Sequence, residues 1–157
     1  MWLRARNGCL DTECLTGIYQ SRLKTVHSSP QRAQGLEAIY GFWEGSGKAS
    51  AAIYGMMKIS QFNITWKGYN RSPRCTVHYE HMPEAEGTQF KDLFGNTRTI
   101  SENSKFKTYL LQIYGECALK IKYLRMTTSD DRPDYLDMIE YYEGFADSHG
   151  FMGFYKR

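Results

Sequence analysis

QFNITWKGYNRSPRCTVHYEHM, residues 61–82, decides how the chain folds. Phe62, Ile64 and Trp66 fall on one side of the first run, with Asn63, Thr65 and Lys67 on the other. After a turn from Gly68 to Pro73, Cys75, Val77, Tyr79 and His81 share a side, opposed by Thr76, His78 and Glu80. A period of two is what a half-buried antiparallel hairpin requires. Working outward from 61–67 and 74–82, strands are expected at 37–44, 52–60, 105–114, 117–126, 133–143 and 149–156. In 117–126, Leu119, Ile121 and Tyr123 alternate with Lys120 and Lys122; in 133–143 both sides are mixed. Residues 83–104, with Gly87, Gly95 and Asn96, read as an elaborated loop or a distorted strand. Eight strands with short links predict a mainly β fold, an antiparallel barrel-like sheet over 36–157.

The 157 residues suffice for one domain, or a domain with a small module attached. Aromatics make up 15%, which favours strands over an aliphatic helix bundle. The net charge of +3 is too small to argue for nucleic acid. It lies in residues 1–34, where 5 basic and 2 acidic side chains leave +3, against 15 of each afterwards. Asp130, Asp131, Asp134, Asp137, Glu140, Glu143 and Asp147 form an acidic run relieved only by Arg132. Such a run reads as a solvated edge that resists aggregation, or as a face for a basic protein partner. Tyr69 in the turn, and Tyr135, Tyr141 and Tyr142 beside Asp130, Asp131 and Asp134, are the candidate partner contacts.

Four cysteines allow three pairings, of which Cys9 with Cys14 and Cys75 with Cys117 keeps each bridge within one unit. Tight C-x2-C zinc knuckles are lacking, so disulfides and an oxidising, exported setting are expected. No apolar run has membrane-spanning length, and no secretory leader is recognisable; an exported chain would have lost it or carry it upstream.

Residues 14–26 form the one helix the pattern supports: Leu15, Ile18, Tyr19, Arg22, Leu23 and Val26 make one stripe, with Asp11 or Thr12 as cap. The segment 1–27 is therefore a disulfide-stapled helical piece, and the polar HSSPQRAQG run gives a linker at 28–35. Trp2, Arg6, Asn7, Cys9, Cys14, Leu15, Tyr19, Arg22 and Leu23 stand at the spacing of a known module. Over about residues 2–26 the chain resembles the second half of the lysozyme-inhibitor LprI-like N-terminal domain; that module's earlier helices would precede Trp2. The resemblance implies a periplasmic or otherwise exported bacterial protein and, for some members, inhibition of lysozyme.

No nucleophile motif is set up for catalysis, so no enzyme and no cofactor is expected. Gly45-Ser46-Gly47-Lys48 lacks the earlier glycine of a phosphate loop, and no helix pattern follows it. His78 and His81 differ by three and point to opposite faces of a strand, which argues against a shared metal. Gly41-Phe42-Trp43 resembles the G-x-W tract of the first lipocalin strand. Phe62, Ile64, Trp66 and Tyr79 would then line a pocket for a small apolar ligand, unless the barrel is filled by its own side chains. The favoured reading is a binding protein that occludes a cationic, lysozyme-like cell-wall hydrolase. A lipocalin-like carrier and an immunity-type protein that binds a secreted toxin are the alternatives.

Overall fold

The computed structural model describes Thr12, Cys14, Thr16 and residues 35–69, 73–118, 120–142 and 148–157. The chain divides into two units, Met1–Gln34 and Gly35–Arg157. In the first, Thr12, Cys14 and Thr16 are helical, and the Thr16 hydroxyl donates to the Thr12 carbonyl at 2.7 Å. The Cys9–Cys14 pairing and the rest of the expected helix lie outside the described residues.

The second unit contains strands β1 (Gly41–Gly45), β2 (Met56–Ile59), β3 (Asn63–Lys67), β4 (Cys75–Met82), β5 (Gln89–Lys91), β6 (Thr97–Thr99), β7 (Phe106–Tyr114), β8 (Tyr123–Ser129), β9 (Arg132–Tyr141) and β10 (Ser148–Lys156). Eight of them close an antiparallel barrel in the order β1-β10-β9-β8-β7-β4-β3-β2, while β5 and β6 form a separate hairpin. Ile64 pairs with Val77 and Trp66 with Cys75, so the opening hairpin forms in the register its alternation requires. Cys75 and Cys117 are disulfide-bonded, with Cα atoms 5.7 Å apart.

Alternate side chains fill the interior. Trp43, Tyr54, Met57, Ile64, Leu111, Leu124, Met126, Leu136, Met138 and Phe154 are fully buried. The Tyr54 ring lies 5.1 Å from Trp66 and 5.7 Å, edge-on, from Phe154. The Trp43 indole donates to the Ile39 carbonyl at 2.7 Å and Tyr79 to the Ser60 carbonyl at 2.6 Å, so both rings are buried with their polar ends satisfied. Glu140 also points inward, where it accepts a hydrogen bond from Tyr54. Burial, reinforced by that carboxylate, pushes the Tyr54 hydroxyl pKa well above its ordinary value.

Several expected strands are shorter or shifted. Leu36–Ile39 is a 3-10 turn, and Lys48–Ile53 is a short helix, α1, following the Gly45–Lys48 loop where none was expected. Gly55 links α1 to β2 at φ 54, and a Cβ there would sit 2.3 Å from the Lys67 carbonyl oxygen, so only glycine fits. Glu116–Ala118 is a 3-10 turn, and the strand expected from Cys117 begins at Tyr123, with Leu124 and Met126 facing the core. Phe62 does not line the interior as expected: it is 64% exposed, in a turn closed by Ser60 N–H donating to the Asn63 carbonyl. No helix among the described residues is long and apolar enough to cross a membrane.

Candidate functional site

The β5–β6 hairpin, missed in the sequence, builds the most distinctive surface. Its tip is Asp92-Leu93-Phe94-Gly95-Asn96. The Gly95 N–H donates to the Asp92 carbonyl at 3.0 Å, and Gly95 takes φ 77, the left-handed conformation that a three-residue hairpin loop needs. One Asp92 carboxylate oxygen accepts from the Phe94 and Asn96 N–H groups, both at 2.9 Å. The other accepts from Arg98 at 2.7 Å. Partial burial would raise the Asp92 pKa, but the Arg98 and backbone donors outweigh it and hold the carboxyl below its ordinary value. A carboxylate of lowered pKa stabilises the fold above its unfolded pKa and loses that contribution as pH falls through its folded one, so the tip loosens in acid. The network holds Phe94 out into water at 84% exposure, the largest value among the exposed large hydrophobic residues described.

The hairpin's other face packs on the outside of the barrel wall. Phe90 meets Phe106 edge-on at 6.0 Å, and the Arg98 and Arg125 guanidinium carbons lie 5.9 Å over Phe106 and 4.3 Å over Phe90. Arg125 projects outward from β8 yet is 2% exposed, with the Phe90 ring over its guanidinium and Glu84 gripping it with two hydrogen bonds of 2.6 Å. Between hairpin and wall runs a groove of about 360 Å³ whose lining includes Phe90, Phe94, Arg98, Asp131, Arg132, Tyr135, Asp137 and Ile139.

Asp137 is half-buried in this groove, and its Oδ1 has no hydrogen-bond partner. Burial, which Arg132 opposes and Asp92 reinforces, raises its pKa above the ordinary carboxylate value. An acid of raised pKa favours the fold most when protonated and gives up that contribution as pH rises through its folded pKa. Asp137→Asn is therefore expected to raise the melting temperature near neutral pH. The gain should shrink on acidification, and a gain that persists unchanged in acid would refute the assignment.

The acidic run does not form a single edge. Asp130 and Asp131 occupy the β8–β9 turn, where the Asp130 N–H donates to the Lys105 carbonyl and the Asp131 N–H to the Ser129 hydroxyl. Asp134 is exposed, Asp137 faces the groove and Glu140 faces the core; Glu143 and Asp147 lie outside the described residues. Tyr135 lines the groove, stacked edge-on with Tyr155 at 5.1 Å and covered by Arg132 at 3.9 Å. Gly153 makes room for it, since a Cβ there would overlap the Tyr135 hydroxyl. Tyr141 is no partner contact: it is 3% exposed and lies against Arg125. Tyr142 is half-buried, and Tyr69 is exposed with its hydroxyl donating to Glu44 at 3.0 Å. Ile64, Trp66 and Tyr79, the remaining residues of the expected ligand pocket, are packed into the core. Among the described residues no three His, Cys, Asp or Glu side chains gather as a metal site.

Fold and site together define a closed eight-stranded antiparallel barrel carrying a hairpin-roofed groove on its outer wall. Comparison with protein-family models, curated proteins and solved structures finds no match to the chain.

Proposed function

We propose that the protein is an exported bacterial binding protein that presents the β5–β6 tip to the cleft of a protein partner, a lysozyme-type cell-wall hydrolase being the target to test. Phe94 carries the reading. Holding a phenyl ring in water forgoes about 1.5–3 kcal/mol of burial, and the Asp92 network fixes it in that position. An aromatic side chain carried on a pre-organised backbone makes a binding hot spot, because less chain entropy remains to be lost. The Cys75–Cys117 disulfide agrees with an oxidising compartment. The resemblance of residues 2–26 to the LprI-like module supplies the choice of target. The mechanism is steric occlusion, with the exposed acids of the β8–β9 turn favouring approach of a cationic surface.

The test measures clearing of bacterial walls by lysozyme with the protein in excess. Wild type should slow clearing, and Phe94→Ala should need roughly 30-fold more protein, the equivalent of about 2 kcal/mol for a hot-spot ring. Unimpeded clearing by wild type removes this target; equal potency of Phe94→Ala removes the hairpin tip from the mechanism. A toxin-neutralising role would use the same surface, and a pull-down from periplasmic extract with both proteins would identify the partner.

A further inference from the structure

A second groove lies on the outer face of β1–β3, away from the hairpin, and is independent of the reading above. The alternation that buries Trp43, Met57, Ile59 and Ile64 puts Phe42, Met56, Lys58, Thr65 and Lys67 outside. Phe42 is 49% and Met56 37% exposed. Strand register arranges them in two rows: Phe42 beside Lys58 beside Thr65, and Glu44 beside Met56 beside Lys67. Phe42 and Met56 are thus diagonal neighbours forming an apolar strip, while Lys58 and Lys67 are diagonal neighbours about 7–8 Å apart. With Trp66 and Arg74 they line a groove of about 580 Å³.

The charges are out of balance. Lys58, Lys67 and Arg74 make no ion pair among the described residues; Lys58 rests 5.3 Å from the Phe42 ring centroid. Glu44, the acid in these rows, is held instead by Arg157 and by the Tyr69 hydroxyl. Two lysines on one diagonal repel weakly, an anion between them turns that repulsion into attraction, and Phe42 and Met56 offer burial next to that position. The volume lies within the roughly 300–1,000 Å³ typical of small-ligand sites.

We infer that this groove binds a single-chain amphiphilic anion, its headgroup between Lys58, Lys67 and Arg74 and its hydrocarbon over Phe42 and Met56. A long-chain carboxylate is the simplest member of the class, and an anionic phospholipid surface could present the same chemistry. Calorimetric titration of the full chain with dodecanoate below its micelle concentration tests it. Dodecyltrimethylammonium serves as the cationic control, and vesicles with and without anionic phospholipid form a separate arm. Dodecanoate should bind, octanoate more weakly and the cationic amphiphile least. Lys58→Glu/Lys67→Glu should weaken dodecanoate about tenfold or more, with Lys58→Gln/Lys67→Gln as the milder pair if charge reversal disturbs the fold. Equal binding of the cationic amphiphile, indifference to both pairs of substitutions, or binding to anionic vesicles without binding of monomeric dodecanoate would each overturn the inference.

Discussion

Glu84→Gln is expected to destabilise the second unit by about 3–5 kcal/mol, read as a lower urea midpoint, because it strands a buried charge. Arg125 and Glu84 side chains are 3% and 14% exposed. The pair is bidentate, and Thr108 adds a third partner to the guanidinium at 3.2 Å. Burial alone would lower the Arg125 pKa; the Glu84 carboxylate reverses that and holds it above its ordinary value. Glutamine keeps the shape but not the charge, so the guanidinium must stay uncompensated or the β4–β5 segment must open to water. Opening would also release Phe90, and with it the seat of the hairpin that presents Phe94. Arg125→Met combined with Glu84→Gln separates the ion from the packing. Removing both charges should recover much of the loss, since a buried pair replaced by apolar groups is often neutral. An unchanged midpoint for Glu84→Gln alone would show that the grip contributes nothing.

The same burial explains which parts of the molecule were legible in the sequence. Asn63–Lys67 and Cys75–Met82 each have one face in the core and one in water, so their side chains alternate plainly. In β9 the inward face holds Leu136, Met138 and Glu140, but the outward face also buries Ile139 and Tyr141. Covering both faces erases the alternation, which is why the 133–143 run looked mixed. Ile139 faces the β5–β6 hairpin across the groove and Tyr141 lies against Arg125, and the hairpin's three-residue strands are too short to show a period. Its signal was the turn chemistry of Asp92 followed three residues later by Gly95, flanked by Gln89-Phe90-Lys91 and Thr97-Arg98-Thr99. Phe62 failed for a different reason: the alternation of β3 was carried one step back into a turn that reverses the chain between Ser60 and Asn63. Arg125 could not have been identified as buried from its own type, because its partner Glu84 lies 41 residues away.

Cys75→Ala/Cys117→Ala should lower stability by about 4 kcal/mol, the chain-entropy expectation for a bridge closing a loop of 42 residues. Cys75 is 5% exposed and opens β4, while Cys117 lies in the 3-10 turn between β7 and β8. The closed loop holds β4, the β5–β6 hairpin and all of β7, so reduction frees the whole segment that carries Phe90, Phe94 and Glu84 in the unfolded chain. The β4–β7 ladder still forms in the native state, from His78 with Tyr114 to Met82 with Leu110, so the variant should refold to the same barrel with an unchanged groove. Unfolding under reducing and non-reducing conditions provides the matched measurement: once both are reduced, wild type and variant should share one midpoint. A variant as stable as oxidised wild type would mean that the loop's ends are already held together in the unfolded chain. The disulfide would then add nothing to the stability of the fold.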